Sequence, residues 1–178
     1  RIAGFADETA LYEKAIDVDI SLVQAYAGLA QVRIDSEDLE GAVTTLRKAV
    51  SIDAAYTEGY VILGTAMNQL QRFGEAVGPL QRATELDRKH ADAWYRLGEA
   101  RFGTGSYRSA IDAAKRAIGL RKDFFAAMVV LADAHEHLGE LAEARTWYQR
   151  ASTDSRFRDY STHKLQELDR AEAEAVGR

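Results

Sequence analysis

Four blocks of 34 residues follow one another from Val23 to Arg158 without insertion or deletion: 23–56, 57–90, 91–124 and 125–158. A fixed period of this size restricts the chain to arrays in which each repeat is one supersecondary unit stacked on the next. Position 7 of the blocks is Leu29, Leu63, Leu97 and Leu131, and position 8 is Ala30, Gly64, Gly98 and Ala132. Position 20 is Ala42, Ala76, Ala110 and Ala144, and position 27 is Ala49, Ala83, Ala117 and Ala151. Position 4 is large throughout: Tyr26, Tyr60, Trp94 and Met128.

The columns have a helical reading. Positions 4, 7, 8 and 11 share one face of a first helix, and positions 20, 24, 27 and 28 one face of a second. Small residues at 8, 20 and 27 let two backbones approach. Large ones at 4, 7 and 24 fill the space between hairpins. The segments "DSED", "QRFG", "GTGS" and "LGEL" read as the turns within hairpins. A single proline among 178 residues, 47% of them hydrophobic, argues against a strand-rich fold and for an all-helical one. That proline, Pro79, is expected near the start of a second helix, where it is tolerated.

The pattern resembles the tetratricopeptide repeat family. The run "WYRLGEARFGTGSYRSAIDAAKRAIGL" from Trp94 carries the family's aromatic, Leu-Gly, Tyr-x-x-Ala and spaced Ala. The resemblance covers all four blocks. It departs at position 32, where the family often has proline and this chain has Ala54, Arg88, Lys122 and Arg156. The expected fold is an all-α, right-handed α-solenoid of stacked antiparallel helix hairpins.

The ends are expected to differ from the blocks. Residues 1–22 read as the second helix of a truncated repeat, with Tyr12 at position 24 and Ala15 at position 27. The chain starts at Arg1 rather than Met and is expected to be a piece of a longer protein. Residues 159–178 read as a C-terminal capping helix with a narrow apolar stripe of Leu165, Leu168, Ala171 and Ala175.

Composition and motifs exclude several function classes. A net charge of -5 argues against nucleic acid as a partner. No apolar run approaches the roughly 20 residues that span a bilayer. With no cysteine there is no disulfide framework or thiolate metal site, so cytoplasm and periplasm both stay open, with cytoplasm favoured. No phosphate-binding loop, dinucleotide fingerprint or nucleophile elbow is present. Asp133 and His137 share a helix face but lack a third metal ligand, and His135 is expected to be packed. The chain therefore reads as a non-enzyme without cofactor or metal. The cations Arg108, Lys115, Arg116, Arg121 and Lys122 read as a solvated outer face, with an acidic partner as the sharper alternative.

In the family, the first helices line a concave groove, and the resemblance implies that positions 2, 5, 9, 12 and 13 face it. These are Gln24, Ala27, Gln31, Ile34 and Asp35; Glu58, Val61, Thr65, Asn68 and Gln69; Asp92, Tyr95, Glu99, Phe102 and Gly103; and Ala126, Val129, Asp133, Glu136 and His137. None is Lys or Arg, and position 5 forms an uncharged row. The family members that hold acidic chaperone tails need Lys, Arg and Asn here, and the sugar-transferase members carry Asn at position 6. Neither set is present.

The function expected is a protein–protein adaptor or scaffold, its groove taking a partner segment of basic and apolar character. Two alternatives stand beside it. One is a structural scaffold that self-associates through the truncated N-terminal end. The other is the regulatory array of a larger enzyme.

Overall fold

The computed structural model describes the backbone of residues 2–176 and the side chains of 6–174. Ten α-helices and no strand occur among the described residues: α1 (Ile2–Val18), α2 (Val23–Asp35), α3 (Leu39–Ile52), α4 (Thr57–Gln69), α5 (Phe73–Leu86), α6 (Ala91–Gly103), α7 (Tyr107–Leu120), α8 (Phe125–His137), α9 (Leu141–Ala151) and α10 (Arg158–Val176). The fold class is an all-α solenoid of antiparallel hairpins. It divides into two compact units, residues 1–88 and 89–178. In unit 1, α1 packs on α2, α2 pairs with α3, α3 packs on α4, and α4 pairs with α5. In unit 2, α6 pairs with α7, α7 packs on α8, α8 pairs with α9, and α10 closes on α9.

The alanine columns are where the hairpins close. Ala42, Ala76, Ala110 and Ala144 are fully buried, as are Ala49, Ala83, Ala117 and Ala151. At Gly98 an added Cβ would lie 3.5 Å from both the Ala110 carbonyl and the Ala114 nitrogen, so α6 and α7 meet almost backbone to backbone. At Gly64 the space a Cβ needs is filled by the Leu80 side chain, and at Gly28 by the Tyr12 ring. Column 8 is thus small at Gly64 and Gly98 for two different steric reasons, and Gly28, at position 6, is small for a third.

Each first helix ends in the same way. The residue at position 15 adopts a left-handed conformation: Glu37 (φ 66°), Gln71 (φ 58°), Gly105 (φ 75°) and Gly139 (φ 75°). Its N–H bonds to the carbonyl three residues back, and the next N–H reaches back five, as in Asp38 to Arg33 and Ser106 to Arg101, both 2.8 Å. This is the Schellman closure, which satisfies the last carbonyls of a helix and reverses the chain.

Pro79 is placed differently from expectation. It lies inside α5, past its first turn, and the helix runs through it. The missing N–H leaves the Glu75 carbonyl without its helical donor. At the C-terminus, Leu168 is buried and Leu165 half-buried, as the apolar stripe requires. Ala171 is exposed, and the side chain of Ala175 lies outside the described residues.

Candidate partner-binding faces

In unit 1 the implied groove positions lie on α2 and α4. Gln24, Gln31 and Glu58 are exposed, and Ala27 and Thr65 half-buried. Val61 and Asn68 are buried, so they support this face from beneath. Gln31 donates to the Asp35 carboxylate at 2.8 Å, and the Thr65 hydroxyl donates to the Val61 carbonyl at 2.8 Å. Apart from the half-buried Ile34, what remains outward in unit 1 is polar or small.

In unit 2 the positions lie on α6 and α8, which touch each other. Asp92, Tyr95, Glu99, Phe102, Val129, Asp133 and Glu136 are all half-buried, and His137 is exposed. The aromatic groups form two contacts. The Tyr95 ring packs on Phe124 with centroids 4.9 Å apart. Phe102, Tyr107 and His137 form a cluster with centroids 4.8–5.5 Å apart.

The carboxylates of this face are held from within the chain. Asp92 accepts from Arg121 at 2.5 Å. Glu99 accepts from the Tyr95 hydroxyl at 2.5 Å and from Arg96 at 2.8 Å. Glu136 accepts from Lys164 of α10 at 3.1 Å. Asp133 accepts from the hydroxyls of Tyr148 and Tyr160 at 2.6 and 2.9 Å. The neutralising cations sit at positions that the implied groove does not include: Arg96 and Lys164 one residue past position 5, and Arg121 in the loop after α7. Counting charge along the groove columns alone misses them. The signal that finds Arg96 and Lys164 is the cation that follows position 5 in the third block and again in α10.

The Tyr148 hydroxyl, fully buried, lies within hydrogen-bond reach of both Asp133 and Glu136. It carries one proton between two acids. Burial pushes the Asp133 carboxyl above its usual range, against the pull of the two tyrosine hydroxyls and Lys164. Burial together with the neighbouring carboxylates also raises Tyr148 and Tyr160, so both stay protonated donors. Tyr95 is raised likewise, by burial first and by Glu99 second.

Asp133 and His137 do not come together as a pair. The carboxylate of Asp133 turns to the tyrosines, and the His137 ring Nδ1 donates to the Asp133 backbone carbonyl at 2.9 Å. His135 is buried, with Nδ1 against Glu140. Among the described residues no cluster of His, Asp and Glu is arranged to hold a metal ion, and no helix is long and apolar enough to cross a membrane.

Comparison with known proteins agrees with the repeat architecture. A family model described as tetratricopeptide repeat matches residues 63–123 and 98–156, and a second of the same description matches 23–56. No curated protein matches the chain. Among solved structures, one of MamA protein is 29% identical, covers 84% of this chain and 81% of its own, and superposes with a TM-score of 0.78. A second MamA structure is 26% identical over 96% of this chain and 91% of its own, also at 0.78. YrrB, described as a TPR protein with an unusual peptide-binding site, is 20% identical over 93% of this chain and 85% of its own, with a TM-score of 0.82. With the alanine columns at the hairpin seams, the Schellman closures at position 15 and family models spanning more than half of its length, the chain belongs to the tetratricopeptide repeat family.

Proposed function

We propose that the chain is a non-enzymatic adaptor that binds a protein segment on the first-helix faces, and that the α6–α8 face of unit 2 supplies the anchoring contacts. The observation that carries this reading is the half-exposed strip of Tyr95, Phe102 and Val129, beside carboxylates already organised by hydrogen bonds. Rigid, half-buried aromatic groups give contact area at low entropic cost. The carboxylates play the smaller part. A partner's cation must displace or share with Arg96, Arg121 or Lys164, and exposed pairs contribute about 0–1 kcal/mol each. Basic character in the partner therefore guides encounter, and apolar character holds the complex. YrrB's description as a peptide-binding relative supports the class of ligand.

The test is selection of binding peptides from a random library on the full chain, followed by kinetics with variants. Selected peptides should pair apolar with basic residues. Tyr95→Ala should cost about 2 kcal/mol, seen as faster dissociation. Glu99→Lys, which sets a second cation beside Arg96, should slow association, and less so at high salt. Peptides indifferent to Tyr95→Ala, Phe102→Ala and Glu99→Lys would sink the reading.

A second reading rests on unit 1. Val18, Ile20 and Leu11 are 81%, 72% and 66% exposed, and Leu22 is exposed as well. Apolar side chains so open and so close in sequence favour self-association through this end. Sedimentation across concentration tests it. A monomer at every concentration, unchanged by Val18→Ser with Ile20→Ser, speaks against it.

A further inference from the structure

The outer face of α7 reverses the charge pattern of α6 and α8. One side of α7 is buried: Ala110, Ile111, Ala113, Ala114, Ala117 and Ile118. The other carries Arg108, Asp112, Lys115, Arg116, Gly119 and Leu120, all exposed, followed by Lys122. Among the described residues, Arg108, Lys115 and Lys122 form no ion pair and no side-chain hydrogen bond. Arg116 touches only the Trp94 ring, 6.0 Å from its centroid. On α6 and α8 the half-buried acids are each held by a partner, whereas on α7 Arg108 and Lys115 carry no ion pair and Arg116 lies only over an aromatic ring. On this face the unpaired cations Arg108, Lys115 and Lys122 outnumber the exposed acids Asp112 and Asp123, a local excess of positive charge in a chain of net charge -5.

The surface also has a shape. A depression of about 400 Å³ is lined by Asp112, Lys115, Arg116, Gly119 and Leu120. A Cβ at Gly119 would meet nothing within 4 Å, and Leu120 is 41% exposed. Gly119 and Leu120 form the apolar floor of this depression at the C-terminal end of the helix, with Lys115 and Arg116 one turn back.

We infer that the outer face of α7 is a second docking surface, for an acidic segment of another protein in which carboxylates flank an apolar side chain. The apolar side chain seats on Gly119 and Leu120. The carboxylates lie toward Arg116, Lys115 and Arg108, because the free carbonyls at the end of α7 repel an anion placed beyond them. Asp112 sits among these cations and disfavours a uniformly anionic ligand, which selects for a segment whose charges are spaced. Each exposed pair is weak on its own, so binding depends on several pairs acting together and on the apolar contact. Association is fast and sensitive to salt. This surface is distinct from the α6–α8 face, and different variants report on each.

The test uses the full chain and a fluorescein-labelled synthetic peptide of Asp and Glu with a central leucine, followed by anisotropy. Saturable binding is expected at low salt, weakening about tenfold on approach to physiological salt. Lys115→Glu with Arg116→Glu should weaken it by about tenfold or more, with an unchanged helical spectrum. Serine in place of the peptide's leucine should weaken it several-fold. The proposal is overturned by a charge-reversed variant that binds normally. It is equally overturned if Tyr95→Ala costs as much as the charge reversal, which would put the peptide on the α6–α8 face. Anionic vesicles or duplex DNA binding as tightly as the peptide would reduce the surface to general anion attraction.

Discussion

The two units carry the same repeat but not the same local fitness for it. In unit 2 the left-handed position that reverses each hairpin is glycine, Gly105 and Gly139, which adopts φ near 75° at no steric cost. In unit 1 the same position is Glu37 and Gln71, whose side chains crowd the backbone there. At position 23 unit 2 has Ala113 and Trp147, whereas unit 1 has Thr45 and, in mid-helix, Pro79, with Gly74 and Gly78 beside it in α5. Helix α7 at the same place in its hairpin is rich in alanine. The period is thus enforced by the buried columns in both units, while the local sequence agrees with it in one and resists it in the other. In a repeat array, stability is close to a sum of local and neighbour contributions, so such conflicts stay where they occur.

The largest effect tests what the units share. Ala110→Leu should overpack the α6–α7 seam, where Ala110 is fully buried against the Gly98 backbone, at a cost of up to about 3 kcal/mol. Ala42→Leu should cost a similar amount in unit 1. Thermal unfolding that spares either variant would show that the seams are not equivalent.

Next comes the proline. Pro79→Ala should stabilise by about 2 kcal/mol: roughly 3 from restoring an interior helical turn, less about 1 for the freer unfolded chain. Both tryptophans, Trp94 and Trp147, lie in unit 2. The gain should therefore be larger in the circular-dichroism transition, which sees both units, than in tryptophan fluorescence. Equal shifts in the two signals would mean that the units unfold as one, and the contrast drawn between them would carry no weight.

The turns allow a reciprocal exchange. Glu37→Gly and Gln71→Gly should each stabilise by a few tenths of a kcal/mol to about 1, and Gly105→Gln should destabilise by about 1. Hydrogen exchange at the amides of Asp38 and Ser106, which close the two kinds of turn, reads the effect locally. If the substitutions in unit 1 leave exchange at Asp38 unchanged, the side chains there are accommodated without strain.

The smallest effect concerns a feature that, among the described residues, lies in unit 2. Burial raises the Asp133 carboxyl above its ordinary value, so the folded chain holds that proton more tightly than the unfolded chain. The contribution of this group to stability therefore grows as pH falls toward about 4 and is lost as pH rises through the raised value. Asp133→Asn keeps an oxygen for Tyr148 and Tyr160 and removes the buried charge. It should be as stable as the parent or more so at pH 7, with the difference closing near pH 4. A variant less stable at pH 7 than at pH 4, relative to the parent, would reverse the sign.

The register of the array could be read from the sequence because its cause is steric and local: Ala110 and Ala144 are small where two backbones meet, and nothing else fits. The left-handed turn was half visible, since Gly105 and Gly139 announce it while Glu37 and Gln71 hide it behind ordinary residues. Pro79 was placed too near a helix start, because packing of Ala76, Leu80 and Ala83 holds α5 together across a residue that would break it alone. The acidic face was only partly legible. The carboxylates on α6 and α8 could be listed from the columns, but Arg96, Arg121 and Lys164 neutralise them from other columns and, for Lys164, from another helix. Pairing across helices is set by tertiary geometry, which a column count along one helix does not contain.

The way α10 is attached has a calorimetric consequence. Its apolar contribution is Leu168, the half-buried Leu165 and the Tyr160 ring edge-on to Tyr148, beside polar contacts of Lys164 to Glu136, Tyr160 to Asp133, and Arg145 of α9 to Asp169 and Glu172. Exposing apolar surface raises the heat capacity, and exposing polar surface lowers it. The polar pairs that α10 gives up therefore blunt the heat-capacity signal of its release and tie the helix to the ionic strength around it.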